Sequence, residues 1–342
     1  MNLENKTHFR ISRHVIRLTF TLTALAMAAC FSSCTRAEKG PPEKVTFAYT
    51  VLPDAALAQI ATANDFYRLE GLEVTPQMHQ IGKQALQSVL DGKADFATVA
   101  ETPIMLSIMR GDRIFVLATI NISNRNMVIV ASKDKGVYLF PDLKGKKIAT
   151  TFGTIGEFFM DCMLIANGVS RQDLSVVNLP SENLHDALAN GDVAAISVWN
   201  PILIQSQRTL GDRCVTFYGE DVYTQTYNVV ATQEYTRKNP GSVNKLLRSL
   251  VKAEEFIRQN PAEAQKIVAG SSQIDRKSIE ETWSSNKYRV ALDQLLVLVL
   301  EDESRWAIRN KVTGAKTVPN YLDSIYFDGL KAVKPDAVRI LR

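Results

Sequence analysis

The polar residues best placed for ligand chemistry stand where apolar, strand-like runs give way to helical patterns. In KKIATTFGTIGEFFMDCMLIANG, the run 148–152 stops at Gly153-Thr154, and Phe158, Phe159, Met163 and Ile165 then recur on or near one helical face. The first turn of a helix carries unpaired N–H groups and the positive end of the helix dipole. Gly153 admits a ligand to the backbone and Thr154 adds a hydroxyl, together a cradle for an anion or polar group. The competing reading is local: Thr154 caps the helix, and Glu157 three residues on completes a capping box. Two more junctions offer similar chemistry, Glu101-Thr102 before Pro103 and Trp199-Asn200 before Pro201. Arg125, in NISNRNM, is either a surface arginine or a planar fork for a carboxylate or sulfonate. Trp199 and Tyr227 are strand-end aromatics, serving as core packing or as walls of a binding site.

Catalytic signatures are lacking. There is no HExxH, no paired CxxC, no His/Cys cluster with metal spacing and no GxSxG elbow, and IGKQ at Ile81 lacks the Walker spacing. Beyond residue 30 only His79 and His185 remain, and both read as surface or internally satisfied histidines. Glu157 and Asp161 lie four apart, a spacing open to acid–base work, but read as an exposed acidic helix face. No enzyme activity, cofactor or metal is expected.

The elements that must position these residues alternate. After residue 43, KVTFAYT (strand), DAALAQIATANDFYRLEG (helix), LEVTPQM (strand), GKQALQSVLDG (helix) and ADFATVA (strand) form one half. KKIATTF, IGEFFMDCMLIANG, LSVVNLP, ENLHDALANG and VAAISVW repeat the plan. Such alternation predicts mainly parallel sheets flanked by helices. DGKADFATVAETPI and NGDVAAISVWNPI match with one residue of slack, which sets the polar pairs at strand carboxyl ends, where open α/β sheets bind ligands. NMVIVAS (126–132) and NVVAT (228–232) also rhyme and are read as neighbouring strands crossing between two lobes. Lobe 1 is then 43–130 plus 229–342, and lobe 2 is 131–228, with closure by hinge bending. The segment after 232 is helical, with ALDQLLVLVLEDESRWAIRNKV as one long helix, and covers lobe 1.

Residues 1–30 read as a leader. Lys6, Arg10, Arg13 and Arg17 precede LTFTLTALAMAA, a run too short for a membrane span and suited to a signal sequence. AMAAC resembles the lipobox of bacterial lipoproteins, which makes Cys30 the candidate lipidated residue; Cys34 in FSSC is the second candidate, and an ordinary cleaved signal is the alternative. Residues 31–42, with KGPPEK at their end, form a linker. The leader holds four of the 40 basic and one of the 36 acidic residues, so the remainder carries 36 against 35. No basic stripe is left to suggest nucleic acid. Cys162 and Cys214 are too few for a disulfide framework, and their pairing stays open.

DLKGKKIATTFGTIGEFF, VVNLPSENLHDALANGDVAAISVWNPIL and RWAIRNK…YLDSIYFDGL resemble the substrate-binding proteins of ABC importers, most closely the nitrate/sulfonate/taurine type. The resemblance covers nearly the whole chain from residue 43. It implies an α/β fold of two lobes, the type II periplasmic-binding-protein fold, with a small ligand trapped between them. It implies a lipid-anchored, periplasmic or extracytoplasmic monomer that hands a sulfonate, nitrate, pyrimidine or related small molecule to a permease and its ATPase. The resemblance places Thr50 and Leu52 in the cleft after the first strand, with Thr102, Gly153, Thr154 and the W-x-P element Trp199-Asn200-Pro201. Asn200 stands where the family commonly has an acid. A sensor for a membrane signalling partner, or a small-molecule lyase on the same fold, are the rival functions.

Overall fold

The structure is a computed structural model that describes residues 41–272 and 274–341. The leader, Cys30, Cys34 and nearly all of the linker lie outside the described residues. Among the described residues no helix is long and apolar enough to cross a membrane.

Twelve strands are described: β1 (Glu43–Thr50), β2 (Leu72–His79), β3 (Phe96–Ala100), β4 (Ile114–Ser123), β5 (Val128–Ser132), β6 (Lys147–Thr150), β7 (Ser175–Asn178), β8 (Ala195–Val198), β9 (Cys214–Tyr218), β10 (Gln225–Thr232), β11 (Asn286–Asp293) and β12 (Val338–Arg339). They build a seven-stranded sheet in the order β12-β11-β4-β10-β3-β1-β2 and a five-stranded sheet in the order β7-β6-β8-β5-β9. β3 and β4 are buried along their whole length, as strands covered on both faces must be. Each sheet is parallel in its βαβ half; beyond it β10 runs against β3 and β4, β11 runs against β4 but parallel to β12, and β5 runs against β8 and β9. The sheets are therefore mixed rather than mainly parallel: each receives one strand that arrives from the other, and the seven-stranded sheet gains β11 against β4 as well.

That strand entry also corrects the expected hinge. β5 lies wholly in the five-stranded sheet and β10 wholly in the seven-stranded one, so the two rhyming strands do not pair. The chain changes sheets in the loops 124–127 and 219–224, and the boundaries expected at 130/131 and 228/229 fall inside β5 and β10. A single expected helix after β1 is broken at Asp65, whose φ of 55° is left-handed and tolerated by aspartate, into Ala56–Ala63 and Phe66–Leu69. The expected long helix begins only at Gln294. Its predecessor NKYRVALD pairs with β4 as β11, with Val290 and Leu292 fully buried.

One apolar cluster runs through both sheets and includes Phe47, Ile104, Ile129, Phe158 and Trp306. A smaller one, with Leu184, Ile196 and Leu203, lies under the outer helices of the five-stranded sheet. The sheets thus meet over packed side chains, and the polar strand ends are left facing each other.

A candidate ligand-binding cleft

Loops from both sheets converge on one cavity. The turn after β1 brings Leu52 and Asp54, the helix after β2 brings Gly82 and Lys83, and the helix after β3 brings Pro103. From the other sheet come Thr154 and Ile155 after β6 and Trp199 after β8, and Asn126, Gln225 and Tyr227 line it from the crossings. The cavity is narrow, with a volume of about 30 Å3.

The floor is a buried carboxylate in a cage of amides. Asp54 Oδ1 accepts from Asn121 Nδ2 at 3.3 Å, Asn126 Nδ2 at 3.2 Å and Gln225 Nε2 at 2.9 Å, and Oδ2 accepts from Asn126 Nδ2 at 3.2 Å. Burial pushes this carboxyl up to about 6 against the pull of the amide donors. Beside it the Tyr227 hydroxyl meets Thr50 Oγ1 at 2.9 Å, and burial raises the phenol above its ordinary value. The tyrosine fits because residue 82 has no side chain: a Cβ there would stand 2.9 Å from Val99 Cα and 3.0 Å from Tyr227 Oη.

Of the residues named from the sequence, Leu52, Thr154, Trp199 and Tyr227 line the cavity, and Thr50 lies buried behind Tyr227. The hydroxyl of Thr154 is occupied: it accepts from Gly156 N at 3.2 Å and donates to Thr151 O at 2.7 Å, which is the cap of helix Ile155–Ala166. Gly153 (φ 69°) donates its N–H to Glu157 Oε2 at 3.0 Å, so this donor of the expected anion cradle is spent inside the chain. Gly153 lies instead beside the Lys83 ammonium, which donates to Phe152 O at 3.1 Å across the gap.

Three expected site residues point elsewhere. Thr102 donates to Glu303 Oε1 at 2.6 Å, away from the cavity. The Glu303 carboxyl is held well above its ordinary value by burial and by Glu101, and burial pushes Glu101 itself up to about 8. Glu101 Oε2 accepts from Thr226 N at 3.1 Å. Arg125 is half-exposed, pairs with Glu220 at 2.8 Å and lies over the Tyr218 ring, so it ties the two crossing loops together. Asn200 is buried with Oδ1 unpartnered, but it is not among the residues lining the cavity.

Glu157 and Asp161 are not an exposed face. Both are buried and clasp Arg171, at 2.9 and 2.7 Å, and Trp306 Nε1 donates to Asp161 Oδ2 at 2.7 Å. His79 contacts Ser88 Oγ at 3.3 Å and His185 contacts Ser206 Oγ at 3.1 Å. Cys162 and Cys214 are free thiols. Among the described residues no group of three or more His, Cys, Asp or Glu could hold a metal ion.

Asp54, Lys83, Asn126 and Gln225 escaped sequence reading. Asp54 looks like the first residue of the helix DAALAQ, and Asn126, in a crossing loop, and Gln225, at the start of β10, meet only in the fold.

Residues 53–264 match the family described as NMT1/THI5 like. A Bacillus subtilis (strain 168) protein provisionally named as aliphatic sulfonates-binding is 24% identical over 217 residues, 63% of this chain and 65% of that relative. The match therefore spans just under two thirds of that relative's length. The periplasmic aliphatic sulphonate binding protein SsuA from Escherichia coli superposes with a TM-score of 0.71 at 16% identity, over 84% of this chain and 98% of that one. The periplasmic nitrate-binding protein NrtA from Synechocystis PCC 6803 does so with a TM-score of 0.70 at 16% identity, over 86% and 89%. The fold is thus the two-lobed α/β fold of periplasmic binding proteins.

Proposed function

Because the chain belongs to the NMT1/THI5-like family, we propose that it is the extracytoplasmic solute-binding component of an ABC importer. It captures a small polar or anionic molecule between two lobes, one on each sheet, and presents it to a permease driven by its ATPase. The observation that carries this reading is the cavity: Asp54 and Lys83 from one sheet and Thr154 and Trp199 from the other face one space at the carboxyl ends of their strands. Closure draws its free energy from contacts made only when the lobes meet. Lys83 to Phe152 O and Trp306 to Asp161 are such contacts, since each joins the two sheets' own elements. The lobes are 43–130 with 229–342, and 131–228, each boundary shifted by a few residues to the crossing loops. Residues 1–30 direct export, and lipid on Cys30 holds a monomer at the membrane.

A thermal-shift screen of sulfonates, nitrate, pyrimidines and aromatic acids tests the binding reading. A solute at ~100 times its dissociation constant stabilises by about 2.7 kcal/mol. Trp199→Ala is expected to abolish the shift, and a folded protein that responds to none of these classes would contradict it. For the anchor, Cys30→Ser should move the protein to the soluble fraction. If instead Cys34→Ser does so, the lipid sits four residues further on.

A further inference from the structure

Asp54 is a buried carboxylate on the wall of the cavity whose side-chain partners are all neutral amides. Among the described residues, no lysine, arginine or histidine nitrogen forms an ion pair with it. Every one of those partners donates, so the group is arranged to be ionised. A lone buried carboxylate is costly unless a cation meets it. Its two oxygens are unequally used. Oδ1 takes three side-chain donors, whereas Oδ2 takes one, the 3.2 Å contact from Asn126, and the residue's own backbone N–H also bonds the carboxyl. Among the ionisable groups nearest it, Glu101, Tyr227 and Tyr288 carry no positive charge, and the Lys83 ammonium, which shares the cavity, forms no ion pair with it and donates to Phe152 O.

We propose that the solute carries a protonated amine or amidine, whose N–H groups bind Asp54 and complete its coordination. This rests on the cleft being the binding site, and it narrows the solute class from any small anion to a cation or a zwitterion. The amides Asn121, Asn126 and Gln225 act as positioning residues that hold the carboxylate toward the cavity.

The test uses matched probes on the full chain: taurine against ethanesulfonate, and an aminopyrimidine against its hydroxy counterpart. Calorimetry and thermal shift are read for the wild type and for Asp54→Asn. The amine-bearing member of at least one pair should bind at least tenfold more tightly, and Asp54→Asn should erase that preference. A measurement independent of the variant's folding is the pH dependence of the wild type: amine binding should weaken about tenfold per unit as pH falls below about 6. An amine-free sulfonate or nitrate that binds as tightly as its amine partner, and whose binding is lost in Trp199→Ala, overturns this proposal while keeping the cleft as the binding site. Amine binding that is indifferent to both Asp54→Asn and pH overturns it as well. If no probe of either kind binds, both readings fall.

Discussion

Trp306→Phe separates lobe closure from lobe stability. Trp306 sits on helix Gln294–Arg309 of the seven-stranded unit, and its indole N–H donates to Asp161 Oδ2, 2.7 Å away on helix Ile155–Ala166 of the other. Its ring also meets Phe158 edge to face, with centroids 5.2 Å apart. Phenylalanine keeps that ring contact and removes only the donor. Asp161 retains Arg171 at 2.7 Å, so no charge is stranded in the variant. What is lost is a buried hydrogen bond to a charged acceptor, worth roughly 1.5–3 kcal/mol. In the open form water takes the place of each partner, so the lower end of that range applies to the closing equilibrium. About 1.4 kcal/mol is a factor of ten. The variant should therefore bind its solute about tenfold more weakly, and X-ray scattering should show a larger radius of gyration at equal solute concentration.

Arg208→Gln is the control. Arg208 also bridges the two units, to Asp275 at 2.7 Å and Ser278 at 2.8 Å, but its ion pair with Asp275 is half-exposed and screened by solvent. Its removal should change affinity less than Trp306→Phe does. Unchanged affinity and unchanged scattering in Trp306→Phe would refute the latch, and an equal loss in Arg208→Gln would show that burial does not set its strength.

Two further outcomes follow from the buried groups. Glu101, Glu303 and Asp54 all have folded-state values above their ordinary ones, so the stability each contributes is fully present below about 4 and lost as pH rises toward 8. Calorimetry of the solute-free protein should give a melting temperature several degrees higher at pH 5 than at pH 9, and Glu303→Gln should flatten the slope; a rise in stability from pH 5 to 9 would contradict the protonated pair. Thr154→Ala should cost about 1 kcal/mol of stability through the lost cap and leave affinity within about twofold, measured by denaturation and calorimetry. A tenfold loss of affinity without destabilisation would return Thr154 to the role of ligand donor.

The strand and helix alternation, and with it the edge on which the cavity forms, could be read from the chain because both follow from local periodicity and turn chemistry. Leu52, Thr154 and Trp199 reach the cavity for that reason, since each follows a strand, and Tyr227 reaches it from the first residues of β10. Sheet membership could not be read in the same way. The pattern VIVAS fits a buried strand in either sheet, and what places it in the smaller one is its pairing with β8 and β9. The acids were the hardest to read. Glu157 and Asp161 look solvated until Arg171, ten residues beyond Asp161, folds back on them, and Asp54 looks like the first residue of a helix until amides on β4 and β10, 67 and 171 residues away, reach it.

The expected anion cradle failed for a reason that bears on mechanism. The Gly153 N–H is bound by Glu157, Glu157 and Asp161 share Arg171, and Asp161 binds Trp306, so an unbroken polar path leads from the cavity-side turn to the opposite lobe. A solute anion that claimed the Gly153 N–H would displace Glu157 and leave a buried carboxylate with one donor fewer, a loss of the kind that costs about 1–3 kcal/mol. No such displacement is needed at Asp54, whose Oδ2 has a single side-chain donor. The turn is therefore better suited to hold the closed geometry than to bind charge. The polar discrimination falls to the opposite lobe, and the two lobes divide the work: one recognises the solute's N–H groups, and the other supplies Trp199 and the rigid network that locks onto Trp306.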